Sequence, residues 1–141
     1  MEPAQLYVAV GGVPFFERLV GVFYDGVATD PVLLPLYPEA PDLRGARRRL
    51  TLFLIQYWGG PSTYSDERGH PRLRLRHLPF AIGPAERDAW LAHMTRAVDE
   101  ATGELQPEVA SEVRQLLLGY FVPASEQLRN DTGLPISSAR R

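Results

Sequence analysis

The chain has no cysteine, and its fifteen basic residues are all arginine, so lysine is missing as well. Without a thiol there is no disulfide, thiolate nucleophile, iron–sulfur cluster or Cys-ligated zinc, and a metal must be held by His, carboxylate, Tyr or Met. Without lysine, Schiff-base catalysis is excluded. The wealth of Arg, Ala, Gly and Pro reads as the codon bias of a GC-rich genome, which gives the missing lysine a compositional origin. No stretch approaches the ~18 consecutive apolar residues of a membrane helix. The opening MEPAQLYVAVGG also lacks the basic start and long apolar core of a secretory signal. No integral membrane segment and a cytoplasmic location are therefore expected. Excess positive charge is absent too: the formal net charge of -2 argues against a general polyanion binder, so nucleic acid is not an expected partner.

The 141 residues suffice for one domain with a real core. From Pro14, the residues Phe16, Leu19, Val20, Phe23, Tyr24 and Val27 recur at helical spacing and predict a helix of about fifteen residues. Gly11-Gly12 stops whatever precedes it. Asp30-Pro31 pairs an N-cap with Pro at the first position, opening a short turn through Leu34. PLYPEAP then holds Tyr37 in a constrained loop. A second amphipathic helix is predicted over roughly Asp42 to Trp58, with Leu43, Ala46, Leu50, Phe53, Leu54 and Tyr57 on one stripe and Gly59-Gly60-Pro61 as its stop. Pro61 to Gly69 reads as a turn-rich stretch. Further helices are predicted from Pro84 to about Ala101 and from Pro107 to about Leu128, the last weakened or kinked by Gly119 and Pro123. Residues 1–128 are expected to form the domain and 129–141 a flexible tail. With no convincing strand, the fold class is all-α.

Within this frame GHPRLRLRHLPF, residues 69–80, gathers two of the three histidines. As a strand, its alternation would put leucines on one face and arginines on the other, yet a lone strand in a helical protein leaves its backbone hydrogen bonds unpaired. A short helix ending before Pro79 fits better. It sets Leu73 and His77 one turn apart on one face, with Arg72 and Arg76 on an adjacent one. A neutral His projecting from an apolar helix end is what haem iron requires of a proximal ligand, and flanking guanidiniums suit the porphyrin's two propionates. A bound diatomic ligand also needs hydrogen-bond donors in an otherwise apolar pocket, and Tyr24, Tyr37 and the Trp90 indole are donors on segments that look buried.

On these residues the chain resembles the group II truncated haemoglobins, the short two-over-two globins. The matching pieces are AVGG (9–12), FY (23, 24), DPVL (30–33), LYP (36–38), LFLIQYWGGPSTYSDERGHPRLRLRHLPF (52–80) and ERDAWLAHM (86–94). The resemblance implies a globin-like, truncated two-over-two helical sandwich around haem b. It makes His77 the proximal iron ligand and Arg76 its neighbouring cation, and gives the distal side Tyr24, Tyr37 and Trp90. The position of the distal His of ordinary globins falls on Ala46, with Leu50 one turn later, so no distal His is expected. Phe53, Tyr64 and Arg72 complete the expected cofactor-binding set.

Apart from the resemblance, His77 reads as a helix-terminal His capping carbonyls, and Tyr24, Tyr37 and Trp90 as core aromatics. His70, held extended by Pro71, is expected in a loop, and His93 as a core or rim residue. Arg47, Arg48 and Arg49 are assigned to a solvated helix exterior. The function implied is binding of O2, CO or NO at a five-coordinate ferrous haem, in O2, NO or redox handling rather than bulk transport. The alternative is a haem enzyme, an NO dioxygenase or peroxidase-like. Either would draw on an external reductase, since no flavin or nicotinamide motif is present. A homodimer is also compatible with the apolar faces. A haem-free helical interaction module is the third reading.

Overall fold

The computed structural model describes residues 1–70, 82–127 and 129, and among these every regular element is helical. A 3-10 turn, Pro3–Gln5, leads into α1 (Leu6–Ala9), and Gly11 and Gly12 separate it from α2 (Val13–Val27). A second 3-10 turn, Leu34–Leu36, precedes α3 (Arg44–Tyr57), which is followed by α4 (Thr63–Arg68), α5 (Pro84–Thr102) and α6 (Pro107–Gln127). No single helix among the described residues is long and apolar enough to cross a membrane.

The apolar spacing that predicts α2 is the face it buries: Phe16, Leu19, Val20, Phe23, Tyr24 and Val27 are all nearly inaccessible. That face packs against α5 and α3, while α5 packs against α6. The result is the α2–α3 pair laid on the α5–α6 pair, a two-over-two sandwich. Met94, Ala97, Val98 and Ala101 of α5 and Val113, Leu117 and Phe121 of α6 supply the other half of the core. Each large side chain so buried contributes about 1.5–3 kcal/mol against exposure in the unfolded chain.

One expectation is revised, and two helix boundaries fall within a few residues of those expected. The stretch from Pro61 to Gly69 is not all turn, because Thr63–Arg68 is helical. Its placement comes from a partner distant in sequence: the Ser65 N–H donates to Gln56 Oε1 at 2.9 Å, and Gln56 Nε2 donates to Ser65 Oγ at 2.7 Å. α3 begins at Arg44, since the Asp42 carboxylate accepts the Arg44 N–H at 3.0 Å in an Asx turn. α6 continues through Pro123 to Gln127. The expected helix before Pro79 and the tail beyond residue 129 lie outside the described residues.

The N-terminal segment is held by the end of α3. The Tyr7 N–H donates to the Trp58 carbonyl at 3.0 Å, and the Tyr7 ring stacks on Phe16 at 6.0 Å. This crossing depends on Gly59, whose φ is +104° and whose absent Cβ would sit 2.0 Å from the Ala4 carbonyl oxygen. Gly69 has a comparable φ of +75° with nothing within 4 Å. Gly59→Ala is therefore expected to lose about 3 kcal/mol, from left-handed strain plus overpacking, and Gly69→Ala only about 1 kcal/mol from strain alone. Urea unfolding midpoints measure the difference, and equal losses in the two variants would contradict this account.

Candidate functional site

A cavity of about 440 Å³ lies between α2, α3, α4, α5, α6 and the loop before α3. Its size lies within the range of small-molecule and cofactor sites. Seven of the residues singled out from the sequence line it together: Tyr24, Tyr37, Ala46, Leu50, Phe53, Tyr64 and Trp90. Arg72, Arg76 and His77 lie outside the described residues.

Each lining aromatic is held by a particular contact. Tyr24 projects from α2 and meets Tyr37 edge-on, with centroids 5.6 Å apart and planes at 75°. Phe23, beside it, packs edge-on against Trp90 at 5.5 Å and so ties α2 to α5 across the cavity wall. Tyr64 is buried against Phe53 at 5.5 Å, and it reaches that position because the Gln56–Ser65 hydrogen bonds pin α4 to α3. Trp90 lies in the second turn of α5, a helix that starts at Pro84 with the Gly83 N–H donating to Glu86 Oε1 at 2.7 Å.

The loop carrying Tyr37 is anchored by Asp30. Its carboxylate accepts the Val32 N–H at 2.8 Å and sits 2.7 Å from His93 Nε2 on α5, while its carbonyl accepts the Leu34 N–H at 2.9 Å. The hydrogen bond with His93 is the main reason that the Asp30 carboxyl is held below its ordinary pKa. His93 approaches α2 closely: a Cβ on Gly26 would lie 2.3 Å from His93 Nδ1. His93 is therefore an interhelix strut and does not line the cavity. No histidine among the described residues does.

Burial keeps the two cavity phenols protonated. Desolvation raises Tyr24 well above the ordinary tyrosine value, helped by Tyr37, and raises Tyr37 to about 12. Tyr37 further favours the proton on Tyr24, whereas Tyr24 works against burial at Tyr37. Both remain hydrogen-bond donors throughout the neutral range.

The arginine run is less solvated than expected. Arg47 lies 5.9 Å from the centroid of the Tyr24 ring and pairs with Asp25 at 2.9 Å. Arg48 makes two hydrogen bonds to Glu67, and Arg49, paired with Glu39, lines the cavity. Sequence reasoning missed Arg49, Arg68 and Arg87 as lining groups. Arg87, which also pairs with Glu126 and Asp88, stands inside the ERDAW block, where its neighbour Trp90 drew the attention. Leu33, Leu36 and Ile82 were missed too, because an apolar residue in a loop carries no periodicity to mark what it faces.

The chemistry of this lining suits a largely apolar group bearing anionic substituents. Aliphatic and aromatic side chains make up most of the wall, guanidiniums stand among them, and hydroxyl and indole donors gather at Tyr24, Tyr37 and Trp90.

Comparison with known proteins agrees with this arrangement. Residues 5–117 match the bacterial-like globin family. The chain is 40% identical over 126 residues to Group 2 truncated hemoglobin YjbI of Bacillus subtilis, a match covering 89% of each chain. Among solved structures it is similar to a thermostable hemoglobin from the actinobacterium Thermobifida fusca, with 53% identity and a TM-score of 0.82 over 90% of this chain and 98% of that one. It is also similar to a truncated oxygen-avid haemoglobin from Bacillus subtilis, with 38% identity and a TM-score of 0.76 over 89% and 98% of the two chains. The all-helical two-over-two sandwich, the cavity inside it and these likenesses lead to one conclusion: the chain belongs to the bacterial-like globin family, as a truncated haemoglobin of group II.

Proposed function

We propose that this chain binds haem b in the cavity through His77 and holds a diatomic ligand, O2 above all, beside Tyr24, Tyr37 and Trp90. The observation that carries the reading is the cavity itself, apolar in its lining and furnished with three neutral donors and no histidine among the described residues. Haem presents a flat apolar face and two carboxylates, and this lining fits both. Leu33, Leu50, Phe53 and Ile82 offer apolar contact, while Arg49, Arg68 and Arg87 offer cations in addition to the Arg72 and Arg76 expected from the sequence. When bound, haem supplies a redox-active iron with an open position for a small ligand.

The residues of the chain then divide the work. His77 holds the cofactor, and the apolar wall excludes water, which strengthens every hydrogen bond made inside. Tyr24, Tyr37 and Trp90 donate toward a ligand that carries partial negative charge, slowing its escape. Slow release suits a scavenger, sensor or redox protein better than a bulk carrier, and the relative described as oxygen-avid is in keeping with that. An external electron donor belongs to the reading, since no flavin or nicotinamide motif occurs in the sequence.

The absorption spectrum of the purified protein supplied with haem tests this directly. Stoichiometric uptake, a five-coordinate spectrum after reduction and a persistent change on exposure to O2 are expected, and failure to retain haem would overturn the proposal. His77→Ala should lose tight haem binding while remaining helical by circular dichroism. Tyr37→Phe and Trp90→Phe should each speed O2 dissociation about tenfold, the equivalent of a hydrogen bond of ~1.4 kcal/mol. Changes within about twofold would mean that these donors do not retain the ligand.

The raised tyrosine pKa values add a pH test. Ionisation removes the proton that a phenol donates, so the Tyr37 contribution persists up to the alkaline range and is lost only as pH climbs toward about 12. The O2 dissociation rate is therefore expected to stay level through neutral pH. A rise near pH ~6.5, where an unperturbed imidazole titrates, would implicate a histidine in its place.

A further inference from the structure

A continuous run of hydrogen bonds leads from α5, behind the cavity wall, to Tyr37. It begins at His93, whose Nε2 lies 2.7 Å from the Asp30 carboxylate. A carboxylate only accepts, so the imidazole donates there, in its neutral and its cationic form alike. Both side chains are largely withdrawn from water, His93 being 22% exposed and Asp30 16%. From Asp30 the run continues along the backbone. The carboxylate accepts the Val32 N–H at 2.8 Å, and the Asp30 carbonyl accepts the Leu34 N–H at 2.9 Å. The Leu36 N–H donates to the Leu33 carbonyl at 2.9 Å, and the Tyr37 N–H to the Leu34 carbonyl at 3.1 Å.

Tyr37 has no long helix to fix it. Residues 28–43, between α2 and α3, contain a single three-residue 3-10 turn, and Pro31, Val32 and Pro35 are exposed. Two inward attachments precede that turn: Leu33, whose side chain is buried in the core, and Asp30. Leu33 sets depth, but an apolar side chain carries no directional bond. Beyond Tyr37, Glu39 pairs with Arg49 at 3.3 Å in surroundings open enough to solvent to make that pair weak. The direction in which the turn delivers Tyr37 is therefore set by the Asp30–His93 contact, which is strengthened by its partial shielding from water. Packing against Gly26 would be met equally by a leucine at position 93. The carboxylate contact is what requires a donor there.

We propose that His93 and Asp30 are positioning residues for Tyr37, and that by fixing its phenol at the cavity they set how strongly the site favours O2, which accepts a hydrogen bond when bound, over CO, which accepts one poorly. The inference rests on haem occupying the cavity and on Tyr37 donating to the ligand. Neither His93 nor Asp30 lines the cavity; both act through the turn. A hydrogen bond weakens steeply once its donor swings out of line, so a loosened turn costs O2 its donor while CO, which leans on it little, is retained as before.

The test uses the haem-loaded full chain. In His93→Leu, which fills the space against Gly26 and offers no N–H, O2 dissociation is expected to quicken several-fold while CO dissociation stays within about twofold of the parent. The infrared stretch of bound CO, which reports the donors around it, is expected to shift in the same direction as in Tyr37→Phe. Amide exchange at Leu34, Leu36 and Tyr37, a readout that needs no bound gas, is expected to speed up. His93→Gln, whose side-chain amide offers Asp30 an N–H, is expected to restore most of the O2 retention. Added to Tyr37→Phe, His93→Leu should leave the O2 rate where it was, because the donor it positions is already gone. Asp30→Asn approaches from the other side: it keeps an oxygen for the Val32 N–H, lacks the charge that His93 meets, and should quicken O2 release in the same selective way. Unchanged O2 release in both His93→Leu and Asp30→Asn, with Tyr37→Phe fast, would overturn the proposal and leave the ligand reading standing. An effect of His93→Leu that survives in Tyr37→Phe and vanishes in Trp90→Phe would also overturn it, since His93 would then act through Trp90 on its own helix. A parent rate in Tyr37→Phe would remove the role of Tyr37 and its positioning with it, and a chain that takes up no haem would overturn the haem reading itself.

Discussion

The crossing of α2 and α5 is the constraint on which the rest depends. Gly26 has no side chain, so the His93 imidazole occupies the space where a Cβ would lie 2.3 Å from Nδ1. That approach brings Phe23 against Trp90 one turn away and lets the Asp30 carboxylate meet His93 Nε2. One close contact between two helices therefore sets both the wall of the cavity and the anchor of the loop that carries Tyr37. A bulkier residue at position 26 would push the helices apart, and at native packing density such a displacement moves every ring that leans on them.

The cavity follows from that geometry together with a division of polarity. Its donors are neutral and held protonated by burial, and its cations belong to long guanidinium side chains that are partly paired elsewhere, Arg49 with Glu39 and Arg87 with Glu126. A neutral donor costs far less to desolvate than a charged one, so the site keeps hydrogen-bonding capacity without an unpaired buried charge. The proposed function draws on this property: a small polar ligand would meet fixed donors in a largely apolar cavity. The rings of Tyr57, Tyr120 and Phe121, in contact with one another, close the packing between α3 and α6.

Much of the site was legible before the structure, for a physical reason that varies from residue to residue. Tyr24 and Trp90 stand on strongly periodic helices, and Ala46, Leu50 and Phe53 share a stripe of α3, so their inward direction follows from the 3.6-residue repeat. Tyr37 has no such repeat; it was found through its place in the LYP block that the family resemblance rests on. Tyr64 was read as part of a turn, because six residues are too few for periodicity to declare a helix and the bonds from Gln56 that hold it are long-range. Arg49 was assigned to the solvent with its neighbours, since three consecutive arginines point in three directions around a helix and composition does not say which one faces inward.

What the sequence by itself determined is the helical class, the boundaries of the long helices to within a few residues, the exclusion of thiol and lysine chemistry, and membership of a family through blocks too long to arise by chance. These are local properties, fixed by side-chain periodicity, caps and the breaking power of Gly and Pro. Tertiary structure alone decided that seven residues from four elements and a loop converge on one cavity, that His93 braces Asp30 and does not line that cavity, and that Tyr120 of α6 lies 4.3 Å from Tyr57 of α3. Such distances depend on how helices far apart in the chain pack their ridges together, and that packing is settled by the whole core at once.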